Sequence, residues 1–299
     1  MKYRAITTVA VVIAAVSGSA DAQDQTQQQA QDSAAFTATS PDVNLTPRRL
    51  VFGPRDRGVK EIAVFNRSNS SATYTIVLTD RVMTPDGALV PVEEAPAEEK
   101  SRLKSALEYI RYSPRQMVLG PRESQTVRLQ VRPPAGSAPA EYRTHFSVTA
   151  TPPPETGVDI AAAASGAKET GVSVRITPVY GIMIPIIVRT GALSAQASIS
   201  GAHLVQSQGQ RAIGFTINRS GDRSVYGGID IYLLGSGAPK KIAAIRGLGV
   251  YAEIDQRRVT IPLDRDAPAI GTGSRVKIVY TDDELDVGKI LAETEATLS

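Results

Sequence analysis

From residue 43 onward the chain alternates apolar and polar positions in short runs, and turn residues separate one run from the next. The runs fall at 50–52, 61–65, 73–79, 109–112, 116–119, 126–131 and 142–150. Between them lie Gly53-Pro54, Asn66-Arg67-Ser68-Asn69, Pro85-Asp86-Gly87, Gly120-Pro121 and Pro133-Pro134. Residues 126–131 (TVRLQV) show the period of two that a half-buried strand requires. Short strands at this spacing, with almost no helical periodicity, predict an immunoglobulin-like β-sandwich. The charged stretch 95–107 (APAEEKSRLKSAL) is the exception and predicts a short surface helix. After Arg189-Thr190-Gly191 a second series begins, at 195–199, 212–218, 228–234, 240–246, 258–261 and 275–280, with Gly-rich turns between. Its tail, 285–298, fits a last strand or a short helix. The pattern predicts an all-β fold of two immunoglobulin-like β-sandwiches in tandem, 42–190 and 191–299.

A length of 299 residues agrees with two domains. Hydrophobic residues make up 42% of the chain, but only 5% are aromatic and Trp is absent, so Val, Ile, Leu and Ala must build the cores. The first 22 residues read as a secretory signal peptide. Lys2 and Arg4 precede an apolar run to Val16, and Ala20-Asp21-Ala22 fits the cleavage site. That run is shorter than a membrane span, which predicts an exported, cleaved protein with no span in the mature chain. Residues 23–41, rich in Gln, Ala and Ser, predict a disordered arm. Cysteine is absent, which excludes thiolate catalysis and leaves core packing to hold the fold. A near balance of 33 basic and 30 acidic residues argues against nucleic acid as a partner.

Catalytic patterns are missing. The two histidines, His145 and His203, are far apart, and His145 lies in a strand-like run that suits a structural role better than a base. No nucleophile elbow, zinc-binding helix, phosphate loop or carboxylate pair occurs. The acidic group Asp282, Asp283, Glu284 and Asp286 lacks the spacing of a calcium loop and reads as a solvated turn. We therefore expect no enzyme activity, no cofactor and no metal.

Residues 171–188 (GVSVRITPVYGIMIPIIV) form the longest β-prone stretch and follow a low-complexity segment, 152–170. In the first half Val172, Val174, Ile176, Pro178 and Tyr180 share one face, with Ser173, Arg175 and Thr177 opposite. The second half is apolar on both faces, as in a buried strand. A strand longer than its own sheet leaves an edge that another chain can pair with. Burying five such side chains is worth about 8–15 kcal/mol before the cost of association.

Several segments together resemble the periplasmic chaperones of pilus and fimbria assembly. They are Arg49-Leu50-Val51-Phe52, the run ending at Asn66, residues 112–129 (YSPRQMVLGPRESQTVRL) and 141–146 (EYRTHF). The resemblance covers 43–190 well and the remainder weakly. It implies two immunoglobulin-like domains that lend a strand to pilin-type subunits, here through Val172, Val174, Ile176, Pro178 and Tyr180, and a further partner in an outer-membrane usher. It also implies that Arg49 holds a subunit's terminal carboxylate in the cleft, and that Glu141, Arg189 and Asp282 form an interdomain ion cluster. The family's second anchor is a lysine; residues 183–187 contain none, and Pro185 stands near its place. Two other readings remain: an exported structural or adhesive surface protein, and a module binding carbohydrate or ions through the second domain's loops.

Overall fold

Turns rich in Gly, Pro and Asn separate many of the strands, which among the described residues pair antiparallel in every case but one. The computed structural model describes residues 43–56, 58–134, 136–151 and 180–299, with only the backbone described at Tyr180. In chain order the strands are β1 (Val43–Thr46), β2 (Leu50–Phe52), β3 (Val59–Asn66), β4 (Ala72–Thr79), β5 (Arg81–Met83) and β6 (Leu89–Pro91). After the helix α1 (Ala97–Arg102) and a 3-10 turn (Leu107–Tyr109) follow β7 (Ile110–Ser113), β8 (Gln116–Leu119), β9 (Ser124–Val131), β10 (Ala140–Thr151) and β11 (Tyr180–Thr190). The rest are β12 (Ala195–Ser207), β13 (Gln210–Gly221), β14 (Val225–Leu234), β15 (Lys240–Val250), β16 (Gln256–Pro262), β17 (Arg275–Asp282) and β18 (Ile290–Thr297).

The first core lies between a sheet ordered β1-β3-β9-β7 and one ordered β2-β11-β10-β4-β8. Alternate residues of each strand enter it: Ile62 and Val64 from β3, Tyr74 and Ile76 from β4, Val127 and Leu129 from β9, Phe146 and Val148 from β10. The segment between β1 and β2 crosses from one sheet to the other and contains the cis peptide Thr46–Pro47. A second core lies between β12-β13-β16 and β15-β14-β17-β18. Phe215, Ile229, Ile231, Ile278 and Tyr280 fill it. The described residues belong to one compact unit.

The structure differs from the sequence reading in several places. Helix α1 spans only Ala97–Arg102, with no side-chain cap and no buried residue, so nothing extends it through 107. The first series also contains β1 and the hairpin β5–β6, which the apolar pattern did not mark. The 285–298 tail holds a strand, β18, paired antiparallel to β17. β12 runs to Ser207, well past the expected 199, and carries an irregularity in pairing between Ser200 and His203.

The hairpin β5–β6 leaves the first sheet pair and packs on the second core, where Met83 is buried and Leu89 partly so. Arg258 N–H donates to Pro85 O at 2.6 Å. At the tip, Gly87 has φ +85°, and a Cβ there would collide with the Arg257 guanidinium. From the other side, Ile187 of β11 belongs to the second core and Val51 of β2 packs against it. The two cores therefore touch through apolar side chains as well as through charge. We expect Gly87→Val to lower the urea midpoint by about 1–3 kcal/mol of stability. Gly58→Ala, where a Cβ meets nothing within 4 Å, should leave the midpoint close to the wild-type value in the same measurement.

Candidate partner-binding edge and the charged seam beside it

β11 pairs with β10 along its whole length, from Tyr180↔Ala150 to Thr190↔Ala140. On its other side β2 pairs with it in parallel at Ile186, Ile187 and Val188 only. From Tyr180 to Pro185 no described strand pairs with that second side; β1 approaches β11 but pairs with β3. Pro185 faces His145 in the antiparallel register. Having no N–H, it can sit there only in a non-hydrogen-bonded pair, so its nitrogen points to the open side. By the alternation of a strand, Gly181 and Met183 then direct their backbone N–H and C=O groups outward too. Ile182 and Ile184 face the first core, while Gly181 is exposed. Of the residues expected to grip a partner, Val172, Val174, Ile176 and Pro178 lie outside the described residues, and Tyr180 is the first residue of β11.

Next to this edge, the face of the sheet turned away from the first core carries charge. Glu141, Arg143 and His145 alternate along β10, opposite Arg189, Ile187 and Pro185 of β11, with Val51 of β2 beside Ile187. All three β10 residues are at least 95% buried. Each charge in this seam finds an opposite one. Arg189 Nε donates to Glu141 Oε2 at 2.8 Å, and its Nη1 donates to Glu284 Oε1. Glu141 Oε1 accepts the Ser224 N–H at 3.0 Å. Burial works against the Arg189 charge, yet the Glu141 and Glu284 carboxylates hold its pKa above the ordinary arginine value.

The second acid expected beside Arg189 was Asp282, but the carboxylate found there belongs to Glu284. Asp282 Oδ1 accepts the N–H groups of Glu284 and Leu285 at 2.7 and 3.1 Å. It shapes the turn between β17 and β18, and the carboxylate that reaches Arg189 belongs to Glu284, two residues on. An aspartate at the end of β17 is too short and too well placed for the turn's own N–H groups to do both tasks.

Arg49, expected to be free in the cleft, is bound as well. Its Nε and Nη2 donate to Glu284 Oε2 at 2.9 and 2.5 Å, and Nη2 lies 3.4 Å from Ser224 Oγ. The guanidinium sits 4.4 Å from the centroid of the Tyr226 ring.

A second buried pair was not foreseen. Arg143 Nη2 donates to Glu253 Oε1 and to Arg81 O, and Glu253 Oε1 also accepts the Met83 N–H at 2.9 Å. The Arg143 guanidinium lies 3.9 Å from the Tyr251 ring centroid. Arg102 of α1 forms a two-pronged pair with Asp255 at 2.5 and 2.9 Å. The only signal in the sequence was a strand with charges at alternate positions, 141, 143 and 145, which reads equally well as a solvated face. His145 is fully buried, its Nε2 3.1 Å from Arg143 Nη1. Burial, with Arg143 and Arg81 nearby, pushes its pKa down to about 3. His145 is thus a structural residue held neutral. A groove of about 370 Å³ opens beside Arg189, Arg223 and Glu284, walled by Val51, Pro54 and Leu193. Among the described residues no helix is long and apolar enough to cross a membrane.

No family model matches the chain, and no curated protein matches it. Solved structures of pilus and fimbrial chaperones do match over most of it, at low identity. The CupB2 chaperone of Pseudomonas aeruginosa is 12% identical, with a TM-score of 0.42 over 86% of this chain and 100% of that one. The DraB chaperone of E. coli is 14% identical, with a TM-score of 0.40 over 87% and 98%. The Acinetobacter baumannii CsuC–CsuE complex, described as a chaperone with a tip adhesion subunit, is 14% identical with a TM-score of 0.40 over 86% and 99%. Likeness at this level assigns no ligand and no site to this chain.

Removing one partner of the Arg143–Glu253 pair strands a buried charge, so Glu253→Gln and Arg143→Met should each cost about 3–5 kcal/mol in urea unfolding. The double variant should recover part of that loss. His145 gives a second test. The unfolded chain binds a proton near pH 6.5, whereas the folded chain binds it only near pH 3. This contribution is therefore full above pH 6.5 and declines as pH falls below it, by up to about 1.4 kcal/mol per pH unit. Unfolding of His145→Gln between pH 6.5 and 4.5 should show a correspondingly shallower slope.

Proposed function

We propose that this chain is a periplasmic chaperone of two immunoglobulin-like domains, 42–190 and 191–299, exported by a signal peptide cleaved near Ala22. It binds pilin-type subunits by lending residues 172–180 as a missing strand, carries out no chemistry, and passes its cargo to an outer-membrane usher. The observation that carries this reading is the open side of β11: six residues, Tyr180–Pro185, pair with β10, and among the described residues no strand pairs with their other edge. The residues just before them, Val172, Val174, Ile176 and Pro178, have the alternation of a strand that would continue this edge. Free edges are normally blunted by charge, bulges or cover, and among the described residues the β11 edge before Pro185 carries the uncharged Gly181, Ile182, Met183 and Ile184.

The test is periplasmic co-purification with candidate pilin-type subunits. Wild type should retain its subunit. Ile176→Asp places a charge in the apolar interface and should reduce recovery at least about tenfold, a loss of some 1.4 kcal/mol or more. Arg175→Ser, on the opposite face of the same stretch, should recover subunit as wild type does. Equal recovery with Ile176→Asp would overturn strand lending and favour the structural or adhesive surface protein.

A further inference from the structure

The chemistry of the cleft points away from the carboxylate anchor that the sequence resemblance implies. Arg49 and Arg189 present two guanidinium charges, and Glu141 and Glu284 present two carboxylates, so the cluster is neutral as it stands. Both oxygens of Glu284 are engaged, one by Arg49 and the other by Arg189. The Arg49 side chain is only 8% exposed, with Tyr226 across one face of its guanidinium. Its remaining nitrogen, Nη1, is buried and has no partner among the described residues. At Arg49 an incoming carboxylate could thus reach at most one donor, a buried one, and would bring a third carboxylate to two guanidinium groups already matched by Glu141 and Glu284. The turn that holds Glu284 is itself firmly tied. Asp282 accepts two N–H groups within it, Gly288 N–H donates to Asp282 O at 2.9 Å, and Asp282 N–H donates to Lys289 O at 2.7 Å. Pro185, near the expected place of the second anchoring cation, brings neither charge nor donor.

We infer that Glu284 serves as a built-in carboxylate that closes the Arg49–Arg189 pair, so that a partner strand is held along β11 by backbone pairing and apolar burial with its own C-terminal carboxylate left outside the cleft. This inference rests on the strand-lending reading for its partner, but the closure itself is a property of this chain alone. The partner's register follows from the same geometry. Pairing runs along Gly181 and Met183 and ends at Pro185, where the edge offers no N–H and β2 takes over from Ile186 onward.

Acetate is the probe that tests the closure. In the full mature chain, the side-chain Nε–Hε NMR signals of Arg49 and Arg189 should not shift saturably with sodium acetate relative to matched sodium chloride. Glu284→Gln leaves two guanidinium groups facing one carboxylate, and should bind acetate at least about tenfold more tightly than wild type. Glu284→Ala reads the same gain without an amide in the site. Saturable acetate binding by wild type at either arginine overturns the closure. So does a folded Glu284→Gln or Glu284→Ala variant that gains no affinity. Failure of strand lending would show instead as unchanged subunit recovery with Ile176→Asp, a result that the acetate titration does not touch.

Discussion

A charge buried in a protein must be paired, because its desolvation costs several kcal/mol that only an opposite charge or good hydrogen bonds can offset. The sheet β2-β11-β10-β4-β8 places that constraint at the centre of this molecule. One of its faces packs on the first core through Phe146, Val148, Ile184 and Ile186. At one end the opposite face carries Glu141, Arg143, His145 and Arg189, all nearly excluded from solvent. None of these could be buried there unless the second sheet pair supplied Glu253, Ser224 and Glu284 at the right places. The ion pairs therefore act mainly by specifying one arrangement, since every alternative leaves a charge stranded. The net stabilisation at the seam comes from apolar burial of Ile187, Val51 and Met83.

The same division explains why the open part of β11 lies where it does. Toward Thr190 the strand is covered on its outer face by the second core and on its edge by β2. Toward Tyr180 neither cover continues among the described residues, and Pro185 marks the change. A proline is tolerated within a strand only where its nitrogen faces away from the ladder, and here that direction is the edge on which β2 pairing stops. Among the described residues, β11 is therefore paired with β10 along its whole length and with β2 only at Ile186, Ile187 and Val188.

Much of the fold could be read from the chain alone. Alternation at period two placed most strands, and Gly, Pro and Asn placed the turns, because inward and outward positions of a half-buried sheet differ in hydrophobicity residue by residue. Short elements were read unevenly: β2, β7 and β8 stood out between their turn residues, whereas β1, β5 and β6 did not. The role of the 81–91 hairpin was also hidden, since Met83 and Leu89 are ordinary apolar residues until one knows which core receives them.

For the candidate site the boundary falls elsewhere. The order of apolar residues by itself determined that 171–188 is a long β-prone stretch whose first half is one-sided, since side-chain direction in a strand depends only on position. Which charges meet was decided by the tertiary structure alone. Arg49 and Glu284 are 235 residues apart, and whether Asp282 or Glu284 faces Arg189 depends on how a turn folds back on its own N–H groups. Local pattern carries no information about such long-range pairings, because an arginine that is buried and matched looks the same in sequence as one left free to bind.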